Sequence, residues 1–234
     1  MLPFLPTRGT GYDLRFSLVG IPVTVSPFFW VTAALLGWTW LNVEPGGPAN
    51  LIAWVLCVFL SILLHEFGHA LTMRYFGHQP EVVLHHFGGY ATYRGRESPG
   101  RSLLISAAGP GVQLVLWVAL YFGLLTWLRQ SGNMPEFGTP LNATLQSLLF
   151  INLFWPLLNL LPVLPLDGGR MLWAILALFG LRQASDWTVR ISVGVGVIAA
   201  VFFLLTGQFI AGAMFAFIAM ENYQTLKGER FGAV

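Results

Sequence analysis

Two histidines and a glutamate fall within five consecutive positions, His65-Glu66-Phe67-Gly68-His69, inside a run from Leu51 to Thr72 that is otherwise almost wholly apolar. Positions i and i+4 share one face of a helix. Both imidazoles can therefore reach the same metal ion, with Glu66 beside them as a base. The run is long enough to cross a bilayer. An ionisable side chain at that depth costs about 2.5–3.5 kcal/mol on insertion scales. Three of them together require an ion or a reaction that offsets the burial.

Two imidazoles do not complete such a centre, because a catalytic zinc takes three protein ligands and keeps one open position. The third ligand should be another polar residue at membrane depth. The interiors of the first and third apolar spans hold no acidic residue or histidine, and Glu221 lies at the end of a span. Asp167 remains. It follows Pro156, Pro162 and Pro165 and precedes Gly168-Gly169. Its carboxylate also reduces the charge that the ion would bury. His78, His85, His86 and Glu81 could bind metal as well, but they sit in a polar segment and read as surface or hairpin residues.

The elements that must position these groups follow from composition and pattern. The 234 residues are 56% hydrophobic and 9% charged, against about 25% charged in an ordinary soluble domain. The chain therefore reads as a polytopic membrane protein. Its net charge of +2, without a long basic run, excludes nucleic acid as a natural partner. The single Cys57 excludes an intramolecular disulfide and reads as a packing residue. Met1 to Asp13 lacks the apolar core of a cleavable signal.

Leu14 to Val25 predicts one or two short strands, broken at Gly20 and Pro22. Apolar spans are expected at 26–43, 51–75 and 102–128. A fourth begins near Leu141 and is unwound from Asn159 to Gly169, and a fifth and sixth cover 187–206 and 208–223. Between spans two and three, Val82 to Phe87 and Tyr90 to Tyr93 flank Gly88-Gly89. This predicts a β-hairpin turning on the glycines, at the membrane surface and able to pair with the strand at 14–25.

The expected fold is thus an all-α polytopic membrane protein with six transmembrane helices, a small membrane-associated β-hairpin or sheet, and a broken fourth helix. Arg8, Arg15, Arg74, Arg94, Arg96, Arg101, Arg182, Arg190, Lys227 and Arg230 all fall on one side of that topology, with Arg129 opposite. The positive-inside rule then places both termini and the hairpin in the cytoplasm.

The pair of motifs resembles a known family. His65-Glu66-Phe67-Gly68-His69 followed by Asn159-Leu160-Leu161-Pro162-Val163-Leu164-Pro165-Leu166-Asp167-Gly168-Gly169 is similar to the site-2 protease family of intramembrane zinc metalloproteases. Phe87-Gly88-Gly89-Tyr90-Ala91 and Ala108-Gly109-Pro110 also look like its core.

The resemblance implies a single intramembrane metalloprotease domain over 1–234, with a catalytic core at about 14–180 and further helices at about 187–225. It implies one Zn2+ per chain on His65, His69 and Asp167, with Glu66 as the catalytic acid and base and Asn159 hydrogen-bonding substrate or oxyanion. The implied substrate is a membrane-spanning protein, hydrolysed within or near its transmembrane segment, in a bacterial or archaeal cell membrane. The PDZ or CBS domains of many relatives are not expected here, and the oligomeric state is open. A transporter would also use a broken helix, but should show it in two halves. A catalytically silent membrane chaperone or scaffold is at odds with the intact Glu66.

Overall fold

The computed structural model describes residues 11–86, 88–93, 95 and 97–228. Phe87, Arg8, Arg94, Arg96 and Arg230, which carried parts of the hairpin and charge arguments, lie outside the described residues. The described residues divide into two compact units, those within 11–95 together with 108–156, and those within 97–107 together with 157–228.

The first unit contains the sheet. β1 (Leu14–Leu18) and β2 (Ile21–Val25) form an antiparallel hairpin, with Leu14 opposite Val25 and Leu18 opposite Ile21. The turn takes positive φ at Val19 and Gly20, and the Arg74 guanidinium donates to the Val19 carbonyl. β2 runs parallel to β3 (Glu81–His85), which pairs antiparallel with β4 (Gly88–Thr92), giving the order β1-β2-β3-β4. The strand at 14–25 therefore resolves into two, and its second half pairs with the hairpin. The hairpin register corrects the sequence reading. Gly88 and Gly89 are not the turn but the first two residues of β4, opposite His85 and Leu84. Two glycines fit a strand when another element must approach its backbone closely, and here α-helical side chains do so, as described below. Ile21, Val23, Val25, Val82, Leu84 and Ala91 are buried, and the sheet packs on the helices α1 (Pro27–Leu36) and α2 (Pro48–Tyr75).

At ten residues α1 is about 15 Å long. It is followed by the 3-10 segment Trp38–Asn42 rather than continuing as a helix. The later portion of α3 (Pro99–Val118), the π-turn Ala119–Leu125, α4 (Thr126–Ser131) and most of α5 (Pro140–Asn159) complete this unit. Cys57 is buried on α2 and donates to the Thr144 carbonyl of α5, as a packing residue would.

The second unit holds the end of α5, a loop at 160–166, α6 (Asp167–Leu178), α7 (Ala184–Leu205) and α8 (Phe209–Lys227). The break expected after Asn159 is therefore present, with α6 restarting at Asp167. α7 and α8 pack along each other, Phe203 stacking on Phe215 with centroids 5.5 Å apart. α7 exposes Val197, Ile198, Val201, Phe202 and Leu205. A contiguous apolar face of this kind suits lipid rather than water.

Four helical stretches are long and apolar enough to cross a membrane: Pro48–Tyr75, Pro99–Ser131, Pro140–Asn159 and Ala184–Leu205. The chain is an integral membrane protein on this ground. The other two of the six expected spans coincide with α1, which is short, and with α8, which ends in Glu221, Asn222, Gln224 and Lys227 and is less apolar.

Candidate metal centre

α2 carries His65, Glu66 and His69 on its buried side, together with Ser61, Ile62, Ala70 and Met73. The Nε2 atoms of His65 and His69 face each other at 3.1 Å, the rings meeting edge to face. A tetrahedral zinc with Zn–N of about 2.0–2.1 Å sets its nitrogens roughly 3.3–3.4 Å apart. The two imidazoles thus fit one ion.

The other nitrogen of His65 is also accounted for. Nδ1 lies 2.8 Å from Gln113 Oε1, and Gln113 Nε2 donates to the Ser61 carbonyl at 3.1 Å. With its amide fixed in that sense, Gln113 presents an acceptor. In that arrangement Nδ1 holds the proton and Nε2 keeps its lone pair, as a metal would require. Further support comes from α5, where Asn152 Nδ2 donates to Ser61 Oγ at 2.9 Å. Sequence reasoning passed over Gln113. The sequence offered only a single amide in an apolar span, four residues after Gly109, and its full burial belongs to the structure. Gln113→Leu conserves volume but leaves Nδ1 without its acceptor. Zinc affinity is expected to fall about 10–100-fold, as read by competition against a chromogenic chelator, while unchanged affinity would remove the role.

Two glycines make the room. A Cβ on Gly109 would lie 2.3 Å from His69 Nε2 and 2.8 Å from His65 Nε2. α3 therefore presents bare backbone to the ligand atoms. A Cβ on Gly68 would lie 2.6 Å from the Ala108 carbonyl, so α2 and α3 touch at this level. On the sheet side, a Cβ on Gly89 would lie 2.9 Å from Glu66 Oε1, and one on Gly88 would lie 2.9 Å from the Trp155 ring. The start of β4 thus runs between the glutamate and an indole.

In the second unit, Asp167 is buried at the first turn of α6. The loop backbone can pack closely against the start of α6 because Gly168 and Gly169 have no Cβ. On Gly168 one would meet the Leu160 carbonyl at 2.2 Å, and on Gly169 the Leu164 nitrogen at 2.5 Å. The loop is pinned from two helices. The Leu164 N–H donates to Ser192 Oγ of α7 at 2.9 Å, and Asn222 Nδ2 of α8 donates to the Leu164 carbonyl at 2.7 Å. Neither Ser192 nor Asn222 drew notice in the sequence, where α7 and α8 read as plain spans. Asn159 ends α5, eight residues before Asp167.

Among the described residues His78, His85, His86 and Glu81 join no group of metal-ligating side chains. His78 lies tilted against Tyr93, with ring centroids 4.2 Å apart, and His85 against Tyr90 at 5.5 Å. Burial, with the neighbouring His86, pushes His85 down from 6.5 to about 4. A histidine depressed by folding stays neutral in the fold where the unfolded chain would bind a proton. Its contribution is complete above about pH 6.5 and is lost as pH falls towards 4. Thermal melts are expected to drop between pH 7 and pH 5, and His85→Gln to flatten that dependence. Parallel curves for the two proteins would refute the assignment.

Comparison with known proteins agrees with this geometry. Residues 125–203 match peptidase family M50, a stretch that contains Asn159 and Asp167. The chain is 29% identical over 206 residues to a zinc metalloprotease of Methanocaldococcus jannaschii, covering 85% of this chain and 56% of that protein. It is 31% identical over 169 residues to a putative zinc metalloprotease of Synechocystis, covering 68% and 42%. With stage IV sporulation protein FB of Bacillus subtilis it shares 26% over 219 residues, covering 90% and 68%. The chain thus spans about half the length of the first two relatives. Its fold is that of the site-2 protease from Methanocaldococcus jannaschii, with a TM-score of 0.61, 24% identity, and coverage of 95% of this chain and 98% of that one. Fold and motifs are thus similar to those of membrane-embedded metalloproteases. Over residues 125–203 the chain is similar to peptidase family M50, and its fold is that of a site-2 protease.

Proposed function

We propose that the chain is an intramembrane zinc endopeptidase that hydrolyses peptide bonds within or near the transmembrane segments of single-pass membrane proteins. The observation that carries this reading is the pair of facing Nε2 atoms, 3.1 Å apart and buried on a membrane-spanning helix, with Glu66 beside them. Asp167 is the proposed third ligand. Support comes from its place in the sequence, a carboxylate before Gly168-Gly169 inside the stretch 125–203 that matches peptidase family M50.

Zinc, when bound, supplies Lewis acidity to the scissile carbonyl and to water. Glu66 takes a proton from the attacking water and delivers it to the leaving nitrogen. Asn159 donates its amide N–H to the carbonyl oxygen as charge develops there. A transmembrane helix must unwind before it can be cut, and the extended strand needs a backbone partner. Among the described residues β4 is the terminal strand of its sheet, and its outer edge can accept such a strand. With Arg15, Arg74, Arg101, Arg182, Arg190 and Lys227 facing the cytoplasm, both termini and the sheet lie on that side.

The test uses the full chain reconstituted in liposomes with a single-pass protein. Cleavage should stop on removal of metal with 1,10-phenanthroline and return with added zinc. Cleavage that persists in metal-free protein would remove the reading.

A further inference from the structure

Within the second unit a cavity of about 180 Å³ opens among the first turn of α3, the loop before α6, and the first two turns of α6 and of α7. Leu164, Trp173, Thr188 and Val189 give it a largely apolar lining, Ser102 and Ser185 stand on it as hydroxyls, and Arg170 is its one charged residue. Arg170 is half-buried. No acceptor engages it among the described residues, whereas Arg101 pairs with Glu97 at 3.6 Å and Arg190 lies over the Trp187 ring at 5.9 Å. An arginine placed in an apolar cavity with no counter-charge is costly unless an anion joins it. The guanidinium fork suits phosphate oxygens, and Ser102 and Ser185 add hydroxyl donors.

The surroundings decide what carries the phosphate. The neighbouring turn between α6 and α7 exposes Leu178, Phe179 and Leu181, and Trp187 follows with nearly half of its surface exposed. Exposed aliphatic side chains beside a half-exposed tryptophan mark the level at which acyl chains meet headgroups. Basic pockets between membrane helices at this level suit anionic lipid headgroups. We infer that this cavity binds the phosphate of an anionic phospholipid, with Arg170 as the anchoring cation and the acyl chains lying against the exposed apolar residues of the α6–α7 turn. The inference does not rest on the peptidase reading, because none of the lining residues belongs to the proposed ligand set.

The experiment is native mass spectrometry of the full chain in neutral detergent, titrated with dioctanoyl phosphatidylglycerol, dioctanoyl phosphatidylcholine or inorganic phosphate. The wild type should retain one phosphatidylglycerol at a concentration about tenfold lower than phosphatidylcholine. Arg170→Gln should abolish that preference and Arg170→Lys should restore part of it, while Arg190→Gln, outside the cavity, should leave it intact. Should Arg170→Gln fail to give a monodisperse peak, Ser102→Phe fills the cavity without touching the charge and should abolish retention equally. Equal retention of the two lipids by the wild type, or of phosphatidylglycerol by Ser102→Phe and wild type, would overturn the proposal. Displacement of the lipid by equimolar inorganic phosphate would also overturn it, by assigning the cavity to the free ion.

Discussion

Glu66→Gln is expected to lower the rate of peptide-bond cleavage by about 10²–10⁴-fold while leaving one zinc per chain. The reasoning is local. The side chain is buried, and the Gly89 backbone lies so near that a single added carbon would sit 2.9 Å from Oε1. Glutamine has the same shape and fits the same slot, so the helix and the facing imidazoles stay in place. What it lacks is the ability to take and return a proton. Metal content measured alongside turnover separates the alternatives. Loss of activity with zinc retained identifies a proton carrier, and loss of both would make Glu66 a ligand instead. Wild-type turnover in the variant would exclude Glu66 from the chemistry.

The sequence makes some of this architecture readable and hides the rest for physical reasons. His65, Glu66, His69 and Asp167 stood out because ionisable groups are costly at lipid depth, so each one in an apolar span carries information. The break before Asp167 was readable from its prolines. Gln113 was not, since a neutral amide barely disturbs an apolar pattern, and its role depends on which helix lies opposite. Ser192 and Asn222 were hidden for the same reason, and their value lies in holding the Leu164 backbone from two other helices. The hairpin register failed at Gly88-Gly89 because two glycines between apolar runs signal a turn locally. Here the missing side chains serve Glu66 and Trp155, which local pattern cannot reveal. The fifteen-ångström α1 was read as part of a longer span because its apolar character continues through Trp38 and Trp40, where the helix tightens into a 3-10 segment.

Gly109→Ala is expected to cost the protein its zinc, although it adds one methyl group far from any charged residue of its own helix. The added carbon would sit 2.3 Å from His69 Nε2, 2.5 Å from His69 Cε1 and 2.8 Å from His65 Nε2, all closer than non-bonded atoms approach. Something must move. Backing α3 away would open the close contact that it makes with α2 at Gly68, where a Cβ would lie 2.6 Å from the Ala108 carbonyl, and lose that packing. His65 cannot swing without breaking its 2.8 Å contact to Gln113. The rings are therefore driven off their shared point, and affinity should fall by at least the roughly 10–100-fold seen when a supporting group is lost. Gly111→Ala is the control. It makes the same change two residues along α3, where nothing lies within 4 Å, and shares the gain in helix propensity. Chelator competition should show zinc binding lost in the first variant and kept in the second. Equal affinity in both would mean that α3 does not press on the ligand atoms, and the packing argument for this centre would fail.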